Sequence, residues 1–166
     1  MLYNIKFIGD PVLRKKAEPI SVFDEKLKAF VVDMFTIMYK EDGIGLAAPQ
    51  IGRSIRLFVV DVSPVDENAG KKVFINPEII NSWGESTLEE GCLSVPGVRE
   101  EVVRPEKIEI KYQDETGKEY KEILDEWPAR VVQHEYDHLE GVLFVDRISP
   151  IKRKVLQLKG EIPVSY

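Results

Sequence analysis

The feature that most restricts the fold of this chain is a pair of histidines four residues apart. His134 and His138 are the only histidines among 166 residues, and Glu135 follows the first, which gives the pattern H-E-x-x-H. On an α-helix, side chains four residues apart lie one above the other, so both imidazoles can bind one metal ion. Glu135 lies one step further round the helix, where it can handle a proton without occupying a coordination position. The pattern predicts a metal-binding helix; the alternative is a chance match between two ordinary histidines.

A catalytic metal usually has three protein ligands, and the chain has no third histidine. In the long form of this motif a further His follows, and here Phe144 stands at that position. A Glu on a later helix is another solution, but the late candidate, Glu161, lies in the terminal GEIPVSY segment. Cys92 is the remaining soft ligand, although a lone Cys is more often a small buried apolar residue. We therefore expect Cys92 to complete the site.

Composition excludes several classes of protein. A net charge of −6 argues against binding to free nucleic acid. The chain has no apolar run of the roughly 20 residues that a membrane-spanning helix needs, and its first residues do not resemble a secretory signal. With one cysteine it cannot form an intramolecular disulfide, which fits a reducing cytoplasm. From its length we expect one catalytic domain over residues 1–166.

Three segments have the apolar spacing or the end signals of helices. Apolar residues at intervals of three, four and one predict a helix over Asp24–Tyr39. Pro128 suits the first turn of a second helix that runs to about Glu140 and ends at Gly141. A basic third helix is expected after Ser149-Pro150, to about Lys159.

The strand signals lie between the first two helices. Arg56–Asp61 is a short apolar run, and Val73–Trp83 contains two β-rich runs interrupted by Asn76-Pro77. Lys107–Tyr112 and Tyr120–Leu124 predict a hairpin with a glycine in the turn. This order predicts an α+β fold, with antiparallel or mixed strands packed around a central H-E-x-x-H helix and with an N-terminal and a C-terminal helix.

Three short segments, taken in order, identify a family that this chain resembles. GIGLAAPQ (43–50), EGCLS (90–94) and QHEYDH (133–138) closely resemble the three signature motifs of bacterial peptide deformylases, and an early DPVLR segment (10–14) also fits. The resemblance implies an α+β fold in which Cys92, His134 and His138 bind one divalent metal. In this family the metal is usually Fe²⁺ in the cell, and Zn²⁺, Ni²⁺ or Co²⁺ can replace it. The reaction implied is removal of the formyl group from the N-terminal formylmethionine of newly synthesised polypeptides.

The resemblance also implies roles for individual residues. Metal-bound water would attack the formyl carbonyl, with Glu135 as general base and then as general acid toward the departing amine. The Gln50 side-chain amide and the Leu93 backbone N–H would stabilise the negative oxygen that forms.

Candidate substrate contacts surround this centre. Ile44, Trp127 and Val131 are candidates for a pocket that holds the methionine side chain, with core packing as the alternative. The backbone at Gly45 and at Glu90-Gly91 could pair with an extended peptide. Arg130 either pairs with an acid such as Glu90 or anchors the substrate.

The last predicted helix is basic in an otherwise acidic chain, with Lys152, Arg153, Lys154 and Lys159. Its cations could simply face solvent, or they could contact the ribosome near the peptide exit, as the family resemblance suggests. Two rival functions remain at this stage: an H-E-x-x-H metallo-endopeptidase and a metal-stabilised binding module without catalysis.

Overall fold

The computed structural model describes residues 3–166. Within these residues, one α-helix precedes a series of seven strands and two α-helices follow it. The elements are α1 Glu25–Lys40, β1 Gly45–Ala47, β2 Leu57–Asp61, β3 Lys71–Trp83, β4 Ser86–Cys92, β5 Val95–Arg104, β6 Lys107–Gln113, β7 Glu119–Asp125, α2 Glu126–Leu139 and α3 Pro150–Leu158.

The strands form two antiparallel sheets. The larger sheet has the order β1-β2-β3-β6-β7, and β4 pairs with β5 in a separate two-stranded sheet. This arrangement confirms the predicted α+β class. It leaves β1 at one edge of the larger sheet and β4 with a single partner strand.

Strand β2 is buried on both faces because helices pack against both sides of the larger sheet. Phe58 and Val60 point to the side of α2, where Val132 joins their cluster. Leu57 and Val59 point to the side of α1. Alternate side chains of a strand face opposite sides, so an unbroken apolar run is what a strand between two helix layers requires.

The aromatic residues on the α2 side pack closely. The rings of Phe58 and Phe74 are stacked with 4.9 Å between centroids, and the Phe74 ring lies 4.2 Å from that of Tyr112. Full burial of one such side chain contributes about 1.5–3 kcal/mol to stability. Because Ala129 and Val132 of α2 pack into this cluster, the helix is held in a fixed rotation about its axis.

The helix predictions agree with the structure within two residues at each end. Asp24 caps α1 by accepting a hydrogen bond from Leu27 N. Helix α2 begins at Glu126, two residues before the predicted start, since Glu126 itself makes the turn out of β7 with φ of 53°. Gly141 follows α2 with φ of 74°, as its predicted role as a helix stop requires. None of the described helices is both long and apolar enough to cross a membrane.

Two strand predictions were incomplete. The two β-rich runs in 73–83 form one strand, β3, and the predicted interruption is a shift of register between Ile75 and Glu78. Asn76 has φ of 50° there, and its side chain bonds both the N–H and the C=O of Ile20. The hairpin β4–β5 was not predicted as strands at all, although it contains Cys92.

Candidate metal centre and catalytic cleft

Two elements, β4 and α2, bring the predicted metal ligands together. Cys92 is the last residue of β4, and His134 and His138 lie on consecutive turns of α2. One possible ligand atom from each of the three residues lies within 4.8 Å of the others. Cys92 Sγ is 3.4 Å from His138 Nε2. Tetrahedral bonds of about 2.3 Å to sulfur and 2.0–2.1 Å to nitrogen would place two such atoms about 3.6 Å apart, so the donors fit one divalent metal.

The surroundings of the two histidines affect their protonation differently. His134 Nδ1 lies 2.9 Å from Glu90 Oε1, so Nδ1–H can donate to the carboxylate. Burial works to lower the pKa of His134, but its contacts with Cys92 and Glu90 raise it well above the ordinary value, so a metal would have to replace the Nε2 proton. Burial is the main reason why the pKa of His138 lies well below its ordinary value, so this imidazole is neutral. A neutral imidazole is the form that coordinates a metal.

Glu135 lies beside these ligands with an unpartnered carboxylate atom. Its side chain is buried and lines a cleft of about 790 Å³, and its Oε1 has no hydrogen-bond partner among the described residues. Burial raises the pKa of Glu135 to about 7. A buried carboxyl without a partner is costly for a fold, which points to a group that binds in the cleft and uses it.

The Gln50 amide is oriented toward the same centre. Its Oε1 accepts a hydrogen bond from Ala47 N at 2.9 Å, which directs Nε2 to Ser94 Oγ at 3.1 Å and Cys92 Sγ at 3.5 Å. Gln50 belongs to the short 3₁₀ helix Ala48–Ile51 directly after β1, so the turn in the backbone places it there. Leu93 follows Cys92 in the turn between β4 and β5 and also lines the cleft.

All of the residues proposed from the sequence as substrate contacts line the cleft. They are Ile44, Gly45, Glu90, Gly91, Trp127, Arg130 and Val131. Of the two alternatives for Arg130, the structure shows the ion pair: Nη1 lies 2.5 Å from Glu90 Oε2, and Nη2 donates to Ser86. The substrate roles themselves stay predictions.

The sequence did not reveal the charged residues that surround Glu90. Arg104 donates to Glu90 from Nε and Nη2 at 2.6 and 2.9 Å, and from Nη1 to Asp137 at 2.9 Å. Arg147 pairs with the same Asp137. Burial works to raise the pKa of Glu90, but the hydrogen bonds from His134 and Arg104 lower it well below its ordinary value. No local pattern marks Arg104 or Arg147, and Asp137 is visible in the sequence only as a variable position of the helix motif.

Known proteins resemble this chain over nearly its whole length. The family model described as polypeptide deformylase matches residues 2–154. A peptide deformylase of Chlorobaculum parvum is 47% identical over 174 residues, covering 100% of this chain and 93% of that protein. One from Thermotoga maritima is 49% identical over 159 residues, covering 95% of this chain and 94% of that protein.

Solved structures agree with the sequence comparison. The crystal structure of a peptide deformylase from Legionella pneumophila superposes with a TM-score of 0.88 at 45% identity and covers 96% of this chain and 93% of that one. That of a Synechococcus elongatus peptide deformylase in complex with actinonin has a TM-score of 0.91 at 42% identity and covers 98% of this chain and 89% of that one. On sequence and on fold, this chain belongs to the peptide deformylase family.

Proposed function

We propose that this chain hydrolyses the formyl group from the N-terminal formylmethionine of newly synthesised polypeptides, as one catalytic domain. The observation that supports this best is the convergence of Cys92, His134 and His138 beside Glu135, whose buried Oε1 has no hydrogen-bond partner among residues 3–166. Cys92, His134 and Glu135 line the cleft of a chain whose family is named for deformylation.

Cys92, His134 and His138 would hold one divalent metal, Fe²⁺ in the cell, with Zn²⁺, Ni²⁺ or Co²⁺ as substitutes. When bound there, the metal would supply Lewis acidity, which lowers the pKa of bound water toward 7. The Cys92 thiolate contributes negative charge and so moderates that acidity. A thiolate that must stay reduced also fits the cytoplasm, where we place this protein.

Glu135 is the proton carrier of the proposed reaction. Its Oε1 is buried and free to accept the proton of the attacking water, and the same atom then delivers the proton to the departing amine. A pKa of about 7 suits both directions, because the two protonation states are then close in free energy at neutral pH.

Gln50 and Leu93 would stabilise the negative charge that develops on the formyl oxygen. Gln50 Nε2 is held near Cys92 by the bonds that Gln50 makes to Ala47 and Ser94, so the donor is in place before the substrate binds. Donors that need no rearrangement are the effective ones, and loss of one typically slows a reaction by about 10²–10³-fold.

The substrate backbone would lie between two strand edges. Gly45 is in β1 at the edge of the larger sheet, and Glu90-Gly91 is in β4, which has one partner strand. An extended peptide can add to such an edge through main-chain hydrogen bonds. Ile44, Trp127 and Val131, which line the same cleft, would contact the methionine side chain.

The direct test is turnover of a formylated dipeptide. We expect the metal-loaded protein to release formate from formyl-Met-Ala and to leave internal peptide bonds of an unformylated peptide intact. Cleavage of the internal bonds with no release of formate would instead favour the metallo-endopeptidase.

Gly45→Ala should reduce kcat/KM by roughly 10–10²-fold, because small displacements of a catalytic group are costly. A Cβ at this position would lie 2.6 Å from Glu135 Oε2, so the carboxyl group would have to move. Gly70→Ala is the matched control, since a Cβ there meets no atom within 4 Å. Formate release at the wild-type rate by Gly45→Ala would contradict the proposed placement of Glu135.

We also propose that α3 contacts the ribosome. Lys154 in α3 and Lys159, which follows the last residue of α3, are exposed. Replacing both with Glu should abolish co-sedimentation with ribosomes at low salt, whereas the same change at two exposed lysines of α1, Lys26 and Lys40, should not. Point variants keep the buried Leu156 of α3 in place, unlike truncation of the helix. Unchanged sedimentation of the α3 variant would refute the contact.

A further inference from the structure

A chain of charged side chains leads from the proposed metal centre to the protein surface. Glu90 contacts His134, Arg104 joins Glu90 to Asp137, and Arg147 completes the chain. Arg147 donates to both Asp137 oxygens, from Nε at 2.5 Å and from Nη2 at 2.8 Å. We use the name charge relay of His134 for five residues: His134, Glu90, Arg104, Asp137 and Arg147.

The inner members of this relay are buried and its outer end is not. The side chains of Glu90, Arg104 and Asp137 are 5, 3 and 9% exposed, whereas that of Arg147 is 44% exposed. Charges that are shielded from water interact strongly, so a change at one member is felt by its neighbours. Because the Arg147 side chain is exposed, Arg147 can be substituted without opening the core.

Arg104 divides one guanidinium group between two carboxylates. Nε and Nη2 face Glu90, and only Nη1 faces Asp137. Arg130 also bonds Glu90, but at Oε2, whereas Arg104 Nη2 bonds Oε1, the oxygen that faces His134. Arg147 donates to both oxygens of Asp137, which limits the hydrogen bonds that this carboxylate can accept from Arg104. Arginine–carboxylate pairs favour a geometry with two parallel hydrogen bonds. Without Arg147, Asp137 would compete with Glu90 for such a pair with Arg104 and would draw the Arg104 guanidinium group away from Glu90.

We propose that Arg147 is a positioning residue for the metal centre, which keeps Arg104 on Glu90 and thereby fixes the orientation of the His134 ring. Arg147 lies outside the three sequence motifs and nine residues after His138. Partners that orient a metal-bound histidine commonly change metal affinity by about 10–100-fold when they are removed. Arg147 acts through three intervening residues, so a smaller effect is expected. The inference rests on the metal centre of the proposed function.

Metal binding by the full chain tests the inference independently of catalysis. For Arg147→Ala we expect Zn²⁺ affinity, measured by competition with a chelator, to fall by about 3–10-fold. The visible absorption bands of the Co²⁺-loaded protein should shift, because they report the arrangement of the ligands. Arg147→Lys should have a Zn²⁺ affinity between those of the wild type and Arg147→Ala, since one ammonium group keeps the charge but cannot hold both carboxylate oxygens.

Arg14→Ala is the matched control. Arg14 makes a comparable two-bonded ion pair with Asp146, at 2.6 and 3.0 Å, with side chains 30 and 25% exposed. Neither Arg14 nor Asp146 contacts a relay member in the hydrogen bonds of the described residues. We expect Arg14→Ala to lower thermal stability while leaving Zn²⁺ affinity and the Co²⁺ spectrum unchanged.

A double-mutant comparison tests the route. If Arg147 acts through Glu90, Arg147→Ala should have no further effect on Zn²⁺ affinity in a Glu90→Gln background. Wild-type affinity and spectrum in Arg147→Ala, or an undiminished effect in the Glu90→Gln background, would overturn the inference. A wild-type protein that binds no divalent metal would instead refute the proposed function itself.

Discussion

Glu135→Gln should lower kcat for formate release by about 10²–10⁴-fold, the range that general acid–base catalysis contributes. The amide has nearly the shape of the carboxyl group but cannot accept the proton of water at neutral pH. Because Glu135 is proposed as proton carrier and not as a ligand, the variant should still bind one equivalent of metal. Steady-state kinetics and metal analysis of the same preparation measure both properties.

Glu126→Gln provides a control on the same helix. Glu126 is exposed, so the same chemical change there should leave kcat within about twofold of wild type. If the wild type releases formate no faster than Glu135→Gln, the chain is not an enzyme of the proposed kind, and a metal-stabilised binding module becomes the better description.

Cys92→Ala should remove the metal almost completely, with affinity reduced by more than the 10–100-fold typical of outer partners. Two histidines would remain, and the loss of the thiolate removes the negative charge that the site offers to a cation. Metal analysis of protein purified without oxygen is the primary measurement. We expect added metal to stabilise the wild type by about 2.7 kcal/mol at a free concentration of 100 times Kd, and this stabilisation should be lost in the variant.

The single cysteine makes a second measurement specific. A thiol reagent can report only Cys92 in this chain. We expect the metal-loaded wild type to react slowly and to react quickly once a chelator is added, since coordination occupies the sulfur. A full equivalent of metal in Cys92→Ala would show that the third ligand is a different residue.

Local patterns were sufficient for most of the elements. The apolar spacing of α1 and the cap residue Asp24 act within one or two turns, so sequence alone locates that helix. More buried and more exposed residues alternate clearly in the hairpin β6–β7 because one of its faces packs against the core and the other faces solvent. The hairpin β4–β5 escaped prediction because buried charged residues, Glu90 and Arg104, replace the apolar residues that normally mark a strand.

The candidate site also has one part that local spacing predicts and one part that it does not. His134 and His138 are close because they are one helical turn apart, which the spacing alone implies. Cys92 is 46 residues from His138 in the chain, and it was predicted as third ligand from elimination and family resemblance. Only the folded β4–β5 hairpin brings its sulfur to 3.4 Å from His138 Nε2.

Residue type and spacing within an element were enough to predict the H-E-x-x-H helix, the α+β class and a set of residues that could bind a metal. The tertiary structure alone decided that Arg130 pairs with Glu90 and that Arg104, Asp137 and Arg147 connect to His134. Those contacts join residues up to 44 positions apart. Electrostatic interactions depend on distance in space and on burial, and the fold sets both of these quantities.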